Sequence, residues 1–179
     1  VKYDGLLFSG GSWDPSAPDG SSSADNVLVL NGTYDVTSAI SVNDIIVNTG
    51  ATLNVPKDSS ITLAGDITNN GEFIMNSDSN EFSSLMASGT ITGSIKYLRH
   101  VNSNPDGNDL VAAPLSGETF ASFASNNPNI LANAGQTQYL FGPFEKPLNQ
   151  YTLYSDTETA TLDAGIGYRT GSTDDGTFT

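Results

Sequence analysis

Ile45-Ile46-Val47-Asn48-Thr49-Gly50-Ala51-Thr52-Leu53-Asn54-Val55 decides the reading of this chain. Two short β-branched runs flank a turn closed by glycine, and apolar residues alternate with Asn and Thr, which is the pattern of a strand with one buried face. The phrase recurs. Further runs are Val27-Leu28-Val29-Leu30, Ile61-Thr62-Leu63, Phe73-Ile74-Met75 and Ile91-Thr92-Gly93-Ser94-Ile95. Asn31-Gly32, Thr49-Gly50, Asn70-Gly71 and Ser88-Gly89 mark the turns, with separations of 18, 21 and 18 residues. A period in that range is the signature of a solenoid, in which each repeat buries its apolar face against the next coil. The expected fold is all-β: a short right-handed parallel β-helix of four or five coils spaced about 4.8 Å apart, with a β-rich C-terminal unit.

The pattern divides the chain into three parts. Residues 1–25 read as a capping segment, with a strand within 1–9, a sharp turn over Gly10–Pro15 and a polar loop to Ala24. Trp13 is expected to close the open end of the stack, because an end coil leaves apolar core and strand edges uncovered. Residues 26–98 form the solenoid. In residues 99–179 the glycine period fades and aromatic residues gather, which points to a β-rich unit packed on the last coils. Thr119 to Asn127 predicts one short helix, with a polar residue at its start and Asn-Asn-Pro at its end. Tyr139–Phe144 and Tyr151–Tyr154 predict two strands joined by a turn containing Pro147.

Composition narrows the function classes. A chain of 179 residues buries roughly 70% of its unfolded surface without covalent staples. The absence of cysteine excludes disulfides, zinc-thiolate sites and a thiol nucleophile. Six basic residues stand against twenty acidic ones, a net charge of −14, so nucleic acid and anionic membrane surfaces are disfavoured partners. No apolar run is long enough to span a bilayer. Richness in Gly, Ser, Thr, Asn and Asp is the composition of secreted bacterial β proteins. Residue 1 is expected to follow a processing site.

Candidate chemistry is sparse. His100 beside Arg99 has no G-x-S-x-G elbow to serve and reads as structural. The acids lie in turns rather than as a glycosidase pair. A lyase would need clustered cations, but Lys96 and Arg99 are three residues apart, which puts them on opposite faces of a strand. Asn31-Gly32-Thr33 matches a glycosylation sequon and reads as a turn. No catalytic residue is expected. Calcium is the candidate cofactor, because hard cations favour clustered oxygens. Asn76–Glu81, Asn102–Asp109 and Ser172–Gly176 supply such clusters, with Asp106, Asn108, Asp109, Asp174 and Asp175 as the candidate ligands. The aromatic group Tyr139, Phe141, Tyr151 and Tyr154 admits glycan stacking. Spacing favours core packing instead, with Tyr139, Phe141, Tyr151 and Leu153 in buried positions.

Ile45–Val55, together with Ile61-Thr62-Leu63-Ala64-Gly65-Asp66-Ile67-Thr68-Asn69-Asn70-Gly71, resembles a repeat of large secreted proteins of the Bacteroidetes. Gly93–Arg99, Ala113-Pro114-Leu115-Ser116-Gly117-Glu118-Thr119-Phe120, Gly165–Tyr168 and Gly176–Thr179 continue the likeness across nearly the whole chain. Asn108-Asp109-Leu110-Val111 stands where that family usually carries an aromatic residue. The resemblance implies an internal module of type IX secretion cargo, located outside the cell or on its surface. Such modules occur in adhesins, gliding-associated proteins and multidomain glycan-degrading enzymes. The implied role is a non-catalytic stalk or adhesive surface, monomeric when isolated, with neighbouring domains of a larger chain as partners. The alternative is a carbohydrate-binding module, with a polysaccharide as partner. No sorting domain ends the chain, so it is expected to be an excised module.

Overall fold

The computed structural model describes residues 3–103, 109–114 and 116–179. The chain divides into two compact units, Val1–Leu98 and Arg99–Thr179.

The first unit is a β-solenoid of about four turns. Its strands are β1 (Leu6–Ser9), β2 (Ser12–Asp14), β3 (Val27–Asp35), β4 (Ile40–Val42), β5 (Ile45–Val47), β6 (Ala51–Val55), β7 (Ser60–Leu63), β8 (Ile67–Asn69), β9 (Glu72–Met75), β10 (Ser84–Ala87), β11 (Ile91–Thr92) and β12 (Lys96–Tyr97). They stack in three parallel ladders. The first runs β1, β3, β5, β8, β11. The second runs from the C-terminal half of β3 through β6 and β9 to β12. The third is β4, β7, β10. The three central coils each give one strand to each ladder, and period-two alternation sends the same residue class inward on every turn.

The inward columns are continuous. Val27, Ile45 and Ile67 are paired in register and essentially inaccessible. Leu53 sits over Phe73, and Ile40 over Ile61. Corners are closed by polar ladders. The Asp44 carboxylate accepts from the Asp66 backbone N–H at 2.7 Å, and Asp66 accepts from Thr90 N–H at 2.7 Å. Each carboxylate satisfies a backbone donor one coil further on, at an exposed corner of the stack. Gly50 has φ +80°, a conformation favourable only to residues without a Cβ. At Gly71 the reason is space: a Cβ would collide with the carbonyl oxygens of Asn48 and Ala51.

The N-terminal segment does more than cap. Leu6–Ser9 is itself a rung, paired parallel to β3, with Leu6 and Phe8 in the core. The stack thus begins about one coil earlier than residue 26: Leu-Leu-Phe repeats the apolar phrase, with Gly5 directly ahead of it, where a Cβ would collide with the Asn26 carbonyl. Trp13 folds back on the antiparallel β2 and meets Tyr34 edge-on at 4.7 Å and Phe8 at 5.3 Å. Burial there pushes the Tyr34 phenol up to about 12. The carbonyls of Asp19 and Asp25 accept from Ser41 and Asn43 N–H, both at or beside β4, which covers that edge.

The second unit comprises β13 (Arg99–Val101), β14 (Asp109–Ala112), α1 (Phe120–Asn126), β15 (Phe141–Glu145), β16 (Gln150–Tyr151), β17 (Gly167–Thr170) and β18 (Gly176–Phe178). Strands β14, β17, β15 and β16 form an antiparallel sheet in that order, and β13 pairs with β18. The Thr119 side chain caps α1 by accepting from Ser122 N–H, as a hydroxyl at that position does. Asn127 closes the helix and is buried. Its amide donates to Phe123 O at 2.7 Å and Thr179 O at 2.9 Å, tying down the C-terminus. The core is aromatic: Phe141 stacks on Phe120 and on Tyr168, each at 5.1 Å, with Phe123, Tyr154 and Phe178 around them.

Candidate functional site

The outer face of the four-stranded sheet carries exposed aromatic and aliphatic side chains beside an arginine. Strand alternation builds it. Tyr168 and Thr170 are buried, so Gly167 and Arg169 face out. Phe141 is buried and Phe144, three residues on, faces out at 47% exposure. Arg169 is in register with Leu110 on one side and Gly142 on the other. Phe144 pairs with Tyr151, their rings 5.2 Å apart at 66°. The Arg169 guanidinium lies 5.9 Å from the centre of the Tyr151 ring, within cation–π range. Leu110 and Leu153 add exposed apolar surface, and a Cβ at Gly167 would meet open space. The two rings meet edge to face, so they present an exposed but not a flat aromatic surface.

The four aromatic candidates therefore separate. Phe141 and Tyr154 are buried in the aromatic core and offer no face to a ligand. Tyr139 packs partly buried against Phe120, 5.4 Å away. Only Tyr151 reaches the outer face. Leu153, expected inside, is 43% exposed, and Tyr154 takes the inward place. The hydrogen bond from Tyr154 N–H to Phe141 O fixes that register. Phe144, Arg169 and Leu110 were not singled out from sequence, yet the signal existed: once Phe141 is placed inside, period two puts Phe144 outside.

Of the candidate calcium ligands, Asp106 and Asn108 lie outside the described residues. The two acidic stretches do meet: Asp175 accepts from Ser103 N–H at 2.5 Å, and Asp109 is in register with Thr170. Asp174 accepts from the Asn129 amide at 3.2 Å. Asp109 Oδ2 and Thr170 Oγ1 are buried without a hydrogen-bond partner. Among the described residues no three His, Cys, Asp or Glu side chains converge to hold a metal.

His100 sits in β13 with Nε2 3.1 Å from Asn102 Oδ1. In the first unit a shallow depression is lined by Glu72 and Lys96 among others, and Glu72 accepts from Thr52 at 3.5 Å. Asp78, expected in a polar cluster, accepts from Asn80 and Glu81 N–H and pairs with Lys57, which also reaches Glu81 at 3.1 Å. Lys57 beside it holds its carboxyl down, to about 2. No helix among the described residues is long and apolar enough to cross a membrane.

Comparison with known proteins returns no match: no family model, no curated protein and no solved structure is significantly similar to the chain. The resemblance read from the sequence rests on its own residues alone.

Proposed function

We propose that the chain is a non-catalytic structural module of a secreted or surface-anchored bacterial protein, acting as a stalk or presenting surface for neighbouring domains. The observation that carries this reading is the coil-on-coil continuity of the first unit. Three parallel ladders share one apolar core, and side chains at the corners bond from coil to coil. Such a stack resists local opening, because every interior strand is bonded on both sides. The acids support the same view: Asp19, Asp44, Asp66 and Asp78 accept backbone N–H bonds and so serve turns and corners.

A scaffold holds fixed distances. Spin labels on Ser23→Cys and Ser79→Cys, both exposed in the first unit, report this in a chain with no cysteine of its own. The reading expects one narrow distance distribution, unchanged by moderate urea. A broad distribution contradicts it.

A second reading, a carbohydrate-binding module attached to a glycan-active enzyme, is favoured by one observation. The Phe144–Tyr151 pair is displayed on the sheet surface when the other aromatic residues of that unit pack inside.

A further inference from the structure

We propose that the C-terminal end of the first unit's stack is a dimerisation surface, at which β10 pairs antiparallel with β10 of a second copy of this chain about a two-fold axis.

The two ends of the stack differ. At the N-terminal end β2, Trp13 and the Asp19 and Asp25 carbonyls cover the first rungs, and Leu6, Phe8 and Tyr34 are buried. At the other end the inward columns open at their last rung. Ile91 stands over the inaccessible Ile67 and is itself 36% exposed. Leu85 over Ile61, Ala87 over Leu63 and Tyr97 over Met75 are only partly buried, while the residues beneath them lie in the core. Among the described residues β10, β11 and β12 each have one strand neighbour, so their outer edges present unpaired backbone groups.

Strand length selects the joint. Strands β11 and β12 are two residues long, and Lys96 stands on β12; short strands and lysine both blunt an edge. Strand β10 has four residues, Ser84-Leu85-Met86-Ala87, with no charge and no proline, and its Met86 is 65% exposed. Such an edge calls for another strand.

Charge selects a second copy. The chain carries −14, so two copies repel each other over most approaches. The carboxylates of the first unit all lie between Asp4 and Glu81, and from Phe82 to Leu98 the one charged side chain is Lys96. The acids of the coil below are engaged: Asp66 by Thr90 N–H, Glu72 by Thr52, Asp78 and Glu81 by Lys57. On this last coil two such acidic chains can meet without setting its side chains against carboxylates. The opposite end is covered, which blocks a head-to-tail joint, and pairing of like ends closes at two copies. Registers that keep Leu85 and Ala87 on the inward face set Leu85 opposite itself or opposite Ala87 of the second copy. Both leave the two Met86 side chains within reach of each other, and the apolar columns of the two copies run on through the joint. This departs from the monomer that the resemblance implies.

The test is sedimentation equilibrium of the full chain from about 10 to about 200 µM, at about 0.15 M and about 1 M salt. A dimer is expected, tighter at the higher salt, which screens the repulsion between the acidic chains. Met86→Lys, at an exposed position, should weaken it about tenfold or more. The same variant should leave the circular dichroism spectrum and the thermal midpoint of dilute samples unchanged, which separates a lost joint from a lost fold. Cross-linking reports the orientation in a chain with no cysteine of its own. A short bismaleimide should join Met86→Cys chains into covalent dimers and leave Ser23→Cys chains, substituted in the N-terminal segment, as single chains. A monomer at every concentration and salt overturns the proposal. A dimer untouched by Met86→Lys, or cross-linked equally through Ser23→Cys, places the joint elsewhere and overturns it. Oligomers that grow past two with concentration mean that unlike ends join, and overturn the two-fold closure.

Discussion

The side-chain amide of Asn76 donates to the side-chain oxygen of Asn54, one coil earlier, at 2.7 Å. Asn54 passes the pattern on, donating to Asp35 at 2.6 Å. The three positions form a polar ladder along the outside of the second sheet, parallel to the apolar columns within. Asn is suited to it because one side chain can donate to one coil and accept from another.

Asn54→Ala should cost about 1 kcal/mol in urea unfolding, the net worth of a typical hydrogen bond. Asn54→Asp should cost more at neutral pH, because it sets a second carboxylate against Asp35. That extra cost should vanish below about pH 4, where carboxyl groups take up protons. An Asn54→Asp penalty independent of pH would show that the ladder is not electrostatically connected.

Gly50 and Gly71 occupy equivalent turns for different reasons, and alanine separates them. Gly50→Ala meets open space at positive φ and should lose about 1 kcal/mol. Gly71→Ala drives a methyl into two backbone carbonyls and should lose about 3 kcal/mol or more. Equal losses in denaturant titration would mean that coil spacing is not held as tightly as the ladders require.

Removing residues 1–25 takes away the β1 rung, Trp13 and the carbonyls that cover β4. The exposed edges of β3 and β4 should then associate, giving concentration-dependent aggregates in light scattering. The milder Trp13→Ala should cost about 2–3 kcal/mol by uncovering Phe8 and Tyr34. A truncated chain that stays monomeric would contradict the capping role.

Asp78 is depressed to about 2 by Lys57 and by two backbone N–H groups. A carboxyl with a lowered folded pKa contributes stability at pH above its unfolded value, near 4, and loses it as pH falls through its folded value. The Lys57–Asp78 contribution should therefore be intact at pH 5 and fade between about pH 4 and 2. Both groups are exposed, so its size should be small and reduced by salt. NMR titration of Asp78 in wild type and Lys57→Met tests the cause: the variant midpoint should move up towards the usual carboxylate range. No movement would assign the depression to the backbone donors alone.

The solenoid was legible because its determinants are local and repeated. Val27, Ile45 and Ile67 sit in the same apolar phrase each turn, and the strand period fixes which face they take. The capped helix was legible for a similar reason, since Thr119 and Asn127 bracket it with short-range hydrogen bonds. The strand within residues 1–9 was read, but its place as a rung of the stack was not, because its partner strand lies some twenty residues on. The second unit was harder. Its aromatic residues serve both the core and the surface, and composition does not tell Phe141 from Phe144. Only register does, and register there is set by pairing of β15 with β17, a contact between distant segments. Arg169 became visible as part of a site only when that pairing placed it near Tyr151.

The continuity of the stack is tested most directly by native-state hydrogen exchange of the intact chain. The N–H groups of Val27, Ile45 and Ile67 bond to Asp44, Asp66 and Thr90 carbonyls, each one coil further along. Linked in this way, they should exchange together, with a common free energy equal to that of unfolding the whole first unit. Exchange of these three amides at separate rates, each near that of the exposed turns, would contradict a rigid coil-on-coil scaffold.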